Sequence, residues 1–464
     1  MTQLLDELCH IVGREHVYSA YSDRYCYTYD ASFCTVESGN LPAFIVHPGS
    51  AEEVSHLMRL ANREKIPVIP RGAGSNVSGG TIPVKDCMVM VLTRLNRILE
   101  IDTRNLVAVV EPGVVTGVFQ QEVEKLGLFY PPDPASLPFS TLGGNAAECA
   151  GGPRGVKYGV TRDYVLGLQV VLPDGQVIET GGRTLKNVAG YDLTRLFVGS
   201  EGTLGIITRI TLRLIPLPEA KQTMLAVYDS VEGAAETVAA VISAGIIPAT
   251  LEFLDQVYIK NIEEYAHVGF PLDAAAVLLI EVDGDAAVIE KQIAKIEETC
   301  RRQGATQIRI ARTAREAGDL WQARRAAFGA LARLKPTIIG EDATVPRSSL
   351  PEMVKRIRRI AEEFDVLIAV VGHAGDGNLH ATFLCDERDK EEMARVDQAI
   401  AAVIDAALAL QGTVSGEHGI GRMKSGFLAR QVGPAALGLM RSIKRTLDPN
   451  NILNPAVMFG EGQE

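Results

Sequence analysis

Two histidines near the C-terminal end of the chain have the spacing of a metal site. His373 and His380 bracket a segment with the sequence HAGDGNLH, and Glu417 and His418 follow in a second glycine-rich segment. Imidazole nitrogens and a carboxylate form a ligand set for divalent zinc, manganese or iron. A single histidine on a strand is more often a structural residue, so the prediction depends on the pair together with Glu417. We predict that His373, His380 and Glu417 bind a divalent metal.

A β-hairpin would position the two histidines. The apolar run 366–371 is typical of a buried strand, Asp376 and Gly377 form a tight-turn signal, and residues 379–384 would be the returning strand. Residues opposite each other across such a hairpin have β-carbons about 5 Å apart. We expect His373 and His380 to face each other in this way, with Glu417 completing the site from a separate loop.

Composition restricts the possible classes of protein. The chain has 464 residues, 47% of them hydrophobic and 22% charged, which is typical of a globular protein with two or three domains. The net charge of -11 and the absence of a basic run argue against nucleic acid as a partner. No apolar run approaches the roughly 20 residues of a membrane span, and the acidic N-terminal stretch is not a secretory signal.

The seven cysteines are scattered and form no C-x-x-C pair. This excludes a disulfide framework and an iron–sulfur cluster of the usual spacing, and it favours a reducing compartment. We therefore expect a cytoplasmic protein, at most attached to a membrane through a partner. The sequence does not set the oligomeric state.

Glycine is concentrated in a few segments of the N-terminal half. The first, residues 71–80, follows a predicted strand at 66–70 and has the sequence RGAGSNVSGG. A loop of backbone N–H groups with small side chains can hold a pyrophosphate. The loop does not match the G-x-G-x-x-G fingerprint, because Val77 replaces the third glycine, and no Lys-Ser/Thr follows as in a Walker loop. Taken alone, a simple glycine turn is the better interpretation.

Two further segments change this interpretation. Residues 141–152 are rich in small and polar residues, and residues 199–207 form a glycine loop that leads into a strand. With the first loop, in this order, they resemble the FAD-binding domain of the vanillyl-alcohol oxidase flavoprotein superfamily, also called the PCMH type. The histidine segment, residues 415–424 and residues 448–455 are similar to the branch of D-lactate dehydrogenase, glycolate oxidase and D-2-hydroxyglutarate dehydrogenase.

The resemblance implies an FAD cofactor. Many members of the superfamily hold FAD covalently through a histidine in the first glycine loop, but this chain has Ser75 and Asn76 there, which implies non-covalent binding. The implied FAD-binding residues are Pro70, Arg71, Gly72, Ala73, Gly74, Ser75, Asn76, Gly79, Gly80, Pro134, Ser136, Thr141, Gly143, Gly144, Asn145, Gly151, Gly202, Gly205, Ile207 and Asn454.

We predict an α+β fold with two domains. Residues 1–219 would form the PCMH-type FAD-binding domain with its core at 40–219, residues 220–410 a cap with an antiparallel sheet and helices, and residues 411–464 a C-terminal segment that returns to the FAD domain. In the cap, the family pattern Trp-x-x-Arg selects Arg324 as the clamp for a substrate carboxylate, with Arg325 as a weaker candidate. A surface charge pair is the common alternative for two adjacent arginines.

Together with these residues, the resemblance implies oxidation of a small D-2-hydroxy acid, D-lactate or glycolate, to the 2-oxo acid. Arg324 would bind the carboxylate, the metal the hydroxyl group, and His418 would act as the base while hydride passes to flavin N5. Asn378 would face the substrate. The hydroxyglutarate members carry a lysine where we align Gly340, which argues against a dicarboxylate substrate.

Electrons must then leave to an external acceptor, because the chain has no second redox motif. Within the family, acceptors include iron–sulfur subunits and electron-transfer flavoprotein. Two other functions stay open at this point. One is a non-redox FAD enzyme of the same fold, and the other is a non-catalytic FAD subunit of a larger complex.

Overall fold

The computed structural model describes residues 2–34 and 40–460. The chain divides into two compact units. Unit 1 comprises residues 1–150, 160–217 and 417–464, and unit 2 comprises residues 151–159 and 218–416. These bounds differ in three places from the predicted domains, since residues 151–159, 218–219 and 411–416 belong with the cap. No helix in the described parts of the chain is long and apolar enough to cross a membrane.

Unit 1 contains eleven described strands in three sheets. The first sheet has the order β1-β2-β4-β3, with β4 parallel to both β2 and β3, the second is antiparallel with the order β5-β6-β10-β8-β9, and β7 pairs with β11. The strands are β1 (Val17–Tyr18), β2 (Phe44–Val46), β3 (Val68–Arg71), β4 (Met88–Val91), β5 (Ile98–Asp102), β6 (Val107–Val110), β7 (Leu128–Phe129), β8 (Val165–Val171), β9 (Val177–Gly181), β10 (Ile206–Arg213) and β11 (Ile215–Pro216).

The helices of unit 1 are Thr2–Val12, Tyr21–Tyr25, Ala51–Glu64, Thr116–Glu124, Leu142–Glu148, Leu193–Phe197 and Ser425–Leu447. Ser50 caps the helix Ala51–Glu64 by accepting a hydrogen bond from Glu53 N. The buried face of that helix packs on the first sheet in one hydrophobic cluster, which also contains Leu453 of the C-terminal segment. The C-terminal segment is therefore part of the core of this unit.

Unit 2 is built on one antiparallel sheet of seven strands in the order β15-β12-β14-β13-β17-β18-β16. Its strands are β12 (Ala220–Tyr228), β13 (Thr250–Asp255), β14 (Ala276–Gly284), β15 (Ala305–Ile310), β16 (Thr337–Thr344), β17 (Leu367–His373) and β18 (Asn378–Cys385). Its helices are Gly155–Tyr158, Val231–Ser243, Gln256–Ala266, Ala286–Arg302, Ala314–Leu331, Leu350–Glu363 and Lys390–Ala409.

One face of this sheet changes from apolar to polar along its strands. Leu254 and Val371 are cross-strand partners and pack in a hydrophobic cluster with the helices Gln256–Ala266 and Ala314–Leu331. Side chains alternate along a strand, so residues two positions apart lie on the same face. Glu252, two residues before Leu254, and His373, two residues after Val371, therefore lie on this face as well. The predicted mixture of helices and antiparallel sheet is confirmed, and the polar end of this face contains the site described next.

Candidate active site

The hairpin of β17 and β18 forms as predicted, but the register differs from the prediction. His373 pairs with Asn378, and His380 pairs with Val371. The two histidines are therefore diagonal neighbours on one face, and the expectation that they lie directly opposite each other was wrong. The turn consists of the four residues 374–377, so the cross-strand pair nearest the turn is His373 and Asn378. His380 lies two residues beyond Asn378 and therefore pairs with Val371. Diagonal neighbours are still within reach of aromatic side chains, and the two ring centroids are 5.0 Å apart.

Glu417 completes the predicted group of ligands. One potential ligand atom from each of His373, His380 and Glu417 lies within 4.8 Å of the other two. Zinc binds nitrogen and carboxylate oxygen at about 2.0–2.2 Å. Small side-chain rotations would therefore bring the three atoms onto one ion, and the residues fit a divalent metal.

Glu252 is a member of the site that the sequence analysis missed. Its carboxylate is fully buried, with Oε1 2.7 Å from His373 Nδ1 and Oε2 2.7 Å from an Arg324 nitrogen. Burial alone would raise the pKa of Glu252, but His373 and Arg324 outweigh it, so the pKa is lowered and the group stays ionised. A carboxylate that accepts Nδ1–H of a histidine orients the ring and leaves Nε2 for a metal. The only signal in the sequence is one acid inside an apolar strand.

Arg324 lies on the buried side of the helix Ala314–Leu331. Its Nε donates to Glu252 Oε2 at 2.8 Å, a terminal nitrogen lies 2.7 Å from the same oxygen, and its side chain is only 13% exposed. A guanidinium has five N–H groups, and Glu252 does not engage all of them. Arg325, the weaker candidate, is exposed on the same helix. Arg324 is therefore the buried member of the two adjacent arginines, and it is paired with Glu252.

Asn378 lies beside the histidine pair and is buried. It is the cross-strand partner of His373, and its Oδ1 accepts a hydrogen bond of 3.0 Å from Thr344 Oγ1 on β16. The alternation of side chains places Asn378 on the same face as His380. Thr344 of the neighbouring strand thus holds the Asn378 amide on the face that carries the two histidines, where it could contact a molecule bound beside them.

In unit 1, the first two predicted cofactor segments meet. A Cβ atom at Gly72 would collide with Thr141 Oγ1, and Gly74 has a φ of +69°, a backbone region that favours glycine. Thr141 caps the short helix Leu142–Glu148 by accepting from Gly144 N, and Asn145 Nδ2 donates to Thr116 Oγ1. Close backbone approach with small polar side chains is what a pyrophosphate requires.

The other predicted cofactor residues also belong to unit 1, with one exception. Asn454 Nδ2 donates to Gly80 O and Glu201 O, at 2.9 and 2.8 Å. Among the described residues, Asn454 Oδ1 and Ser78 Oγ are buried polar atoms without a hydrogen-bond partner, as expected of groups that await a ligand. The residues of unit 1 therefore fit FAD. The exception is Gly151, which is grouped with unit 2.

Glu201 is a second residue that the sequence analysis missed. Its buried carboxylate accepts hydrogen bonds from Ile420 N and Gly421 N, at 2.8 and 2.6 Å. Burial raises the pKa of this carboxyl, and the two N–H donors oppose that rise. Glu201 thus anchors the segment that begins with Glu417 and the partly buried His418 to unit 1.

We expect Gly421→Ala to loosen this segment and to reduce FAD retention. A Cβ atom at Gly421 would collide with the backbone oxygen of Ser78, at the end of the first glycine loop. Overpacking of this kind costs about 1–3 kcal/mol, and the positive φ of 52° adds strain. The flavin-to-protein absorbance ratio after gel filtration measures retention.

The matched control is Gly438→Ala, in the helix Ser425–Leu447, where an added Cβ meets nothing within 4 Å. That change should stabilise the helix by about 0.5–1 kcal/mol without loss of flavin. Equal flavin content in the two variants would contradict the close packing of Gly421 on the first loop.

Comparison with known proteins gives a separate family match for each of two parts of the chain. Residues 42–181 match the family "FAD binding domain", and residues 217–458 match "FAD linked oxidases, C-terminal domain". The chain is 49% identical over 456 residues to glycolate oxidase subunit GlcD of Bacillus subtilis, covering 98% of this chain and 96% of that protein. It is 34% identical to the mitochondrial D-lactate dehydrogenase [cytochrome] of Arabidopsis thaliana, covering 90% and 74%.

Two solved structures share the fold. The structure of p-cresol methylhydroxylase with substrate bound has a TM-score of 0.83 at 18% identity and covers 100% of this chain and 97% of its own. Alkyldihydroxyacetonephosphate synthase has a TM-score of 0.77 at 22% identity, with 98% and 86% covered. The family matches together span most of the sequence, and the chain belongs to the family of FAD-linked oxidases.

Proposed function

We propose that this protein is an FAD-dependent, metal-assisted dehydrogenase that oxidises a small D-2-hydroxy acid, glycolate or D-lactate, to the 2-oxo acid. The observation that carries the proposal is the convergence of His373, His380 and Glu417 beside the ion pair of Glu252 and Arg324. A group of metal ligands next to a buried guanidinium suits a substrate with adjacent hydroxyl and carboxylate groups. The names of the relatives support the same substrate class.

FAD would be held non-covalently by the glycine loops of unit 1, where bound FAD supplies the acceptor for the hydride from C2 of the substrate. The first loop supports this, since it offers Ser75 and Asn76 and no histidine. Asn76 is itself engaged within the loop, with Oδ1 accepting from Gly80 N and Nδ2 donating to Thr81 Oγ1. These two hydrogen bonds hold the loop in its conformation.

The metal would be held by His373, His380 and Glu417, where a divalent cation supplies Lewis acidity that lowers the pKa of a bound hydroxyl group. Glu252 keeps Nδ1 of His373 engaged, so Nε2 is the nitrogen available as ligand. Metal identity is set by geometry and availability, and two imidazoles with one carboxylate suit zinc, manganese and iron.

Arg324 would bind the substrate carboxylate, and His418 would accept the hydroxyl proton. Glu252 already provides a counter-charge for Arg324, so the planar arrangement of the N–H groups that Glu252 does not engage would orient the substrate carboxylate. His418 follows the proposed ligand Glu417 directly in the chain. An imidazole with a pKa near neutrality suits the role of general base.

We expect Arg324→Ala to lower kcat/KM for the hydroxy acid by about 10²–10³, with KM raised and kcat lowered together. Loss of one partner of a desolvated charge pair costs about 2–5 kcal/mol. Arg324→Lys should recover only part of the rate, because an ammonium group lacks the planar fork. Steady-state kinetics with an artificial electron acceptor provide the measurement.

Arg325→Ala is the matched control, since this neighbour is exposed on the same helix and should leave kcat/KM within about twofold. An Arg324→Ala enzyme with unchanged kcat/KM would remove Arg324 from the site. The substrate class is tested separately by anaerobic flavin reduction with glycolate, D-lactate, L-lactate and D-2-hydroxyglutarate.

The reduced flavin must be reoxidised by a separate partner. The relative in Bacillus subtilis is named as a subunit, which supports a larger complex. We propose an iron–sulfur subunit or an electron-transfer flavoprotein as the acceptor, because the chain has no cysteine pair for a cluster of its own.

A further inference from the structure

We propose that Asp342 is the residue that positions Glu417 for metal binding. This inference rests on the proposed function, since it concerns the same metal site. Asp342 lies on β16, the edge strand of the sheet in unit 2, and it is 2% exposed. A buried carboxylate is costly unless its oxygens are hydrogen-bonded, so its partners indicate why it is there.

The partners of Asp342 belong to the residues immediately before Glu417. Gly416 N donates to Asp342 Oδ2 at 2.6 Å, and Ser415 Oγ lies 3.1 Å from both carboxylate oxygens. Thr344, two residues further along β16, accepts a hydrogen bond of 2.9 Å from Thr413 N. Strand β16 therefore fixes residues 413–416 at three points, and the last of them is one peptide bond from Glu417.

The same strand also fixes His380. Asp342 and His380 are cross-strand partners in the register of β16 and β18. Directly paired residues point to the same face with β-carbons about 4.5–5.5 Å apart. Asp342 thus connects one proposed ligand, held by β18, with the loop that carries another. A change in the loop relative to the strand would move Glu417 away from the two histidines.

The packing leaves little room for another arrangement of the loop. A Cβ atom at Gly416 would collide with Thr344 Oγ1 and would lie 3.1 Å from the Asn378 amide nitrogen. A Cβ atom at Gly412 would likewise collide with the backbone oxygen of Thr344. The segment before Glu417 is therefore held by hydrogen bonds to Asp342 and by contact with the neighbouring residues of β16 and β18.

We expect Asp342→Ala to weaken metal binding by about 10–100-fold, the usual range for loss of a group that orients a ligand. The probe is Mn²⁺, titrated into chelator-treated holoenzyme with bound FAD, and the free ion is counted by its electron paramagnetic resonance signal. Asp342→Asn keeps one oxygen for Gly416 N and should recover most of the affinity. Ser415→Ala removes one donor and should cost less than Asp342→Ala.

The matched control is Glu281→Ala. Glu281 is also a buried carboxylate of the same sheet, but it accepts from Thr223 and Trp321. It should lower thermal stability without changing the Mn²⁺ Kd by more than about twofold. A weakened Mn²⁺ site in both variants would assign the effect to general destabilisation and would overturn the positioning role, as would an unchanged Kd in Asp342→Ala.

The failure of this inference differs from the failure of the proposed function. If the unmodified protein binds Mn²⁺ and Glu417→Gln does not, the metal site stands whatever Asp342→Ala does. If neither the unmodified protein nor any variant binds Mn²⁺, Zn²⁺ or Fe²⁺, the metal site itself is wrong, and the role of Asp342 is overturned with it.

Discussion

His380→Ala should bind metal at least 100-fold more weakly and should reduce its flavin with the hydroxy acid at least about 10³-fold more slowly. His380 contributes one of three proposed ligand atoms that lie within 4.8 Å of one another. A Lewis acid provides several kcal/mol of stabilisation to a developing alkoxide, and each 1.36 kcal/mol corresponds to a factor of ten in rate. The measurements are metal content by mass spectrometry and the rate of flavin bleaching under anaerobic conditions.

The flavin content of this variant should stay unchanged, because the proposed FAD residues lie mostly in unit 1. His56→Ala is the matched control, since His56 is exposed on the helix Ala51–Glu64 and belongs to no proposed site. It should keep full metal content and rate. Full activity in a metal-free His380→Ala enzyme would exclude the metal from the reaction.

Glu252→Gln should have the second largest effect, and it should act on both stability and metal affinity. The neutral amide leaves the nearly buried Arg324 without a counter-charge and weakens the acceptor for His373 Nδ1. Breaking a buried ion pair from one side costs about 3–5 kcal/mol. Weaker orientation of the histidine costs about 10–100-fold in metal affinity. Urea unfolding and Mn²⁺ titration measure the two effects independently.

Glu281→Gln separates the two effects. It removes a buried carboxylate from the neighbouring strand β14 that bonds to Thr223 and Trp321 instead of Arg324 and His373. We expect a loss of stability with an unchanged Mn²⁺ Kd. If Glu252→Gln also kept its Mn²⁺ Kd, the contact with His373 would be structural only.

Much of the local structure could be predicted because the local signals agree with one another. The helix Ala51–Glu64 follows from local signals, since the sequence supplies Ser50 as its cap and a stripe of aliphatic residues that are buried in the structure. The hairpin of β8 and β9 also has a local signal, since Pro173, Asp174 and Gly175 favour the turn 172–176 that separates the two strands. In both cases the signals are close in the chain, and few alternatives compete with them.

Local sequence patterns predicted only part of the candidate site. The histidine pair is a local pattern, so it was found, but its register depends on how many residues the turn uses. Glu252 is 121 residues from His373 in the chain, and nothing local in an apolar strand indicates which partner its acid will meet. Asp342 and Glu201 raise the same difficulty, since their partners lie 73 and more than 200 residues away. Buried acids that bind distant backbone are identified only by tertiary packing.

The most direct test of the central claim is anaerobic stopped-flow reduction of the bound flavin by glycolate and by D-lactate. It is made with metal-loaded protein, with chelator-treated protein, and with chelator-treated protein after Mn²⁺ is restored. We expect rapid bleaching of the flavin absorbance in the first, at least 10³-fold slower bleaching in the second, and recovery in the third. Equally fast bleaching with and without metal, or no bleaching by any 2-hydroxy acid in the loaded protein, would contradict the proposed function.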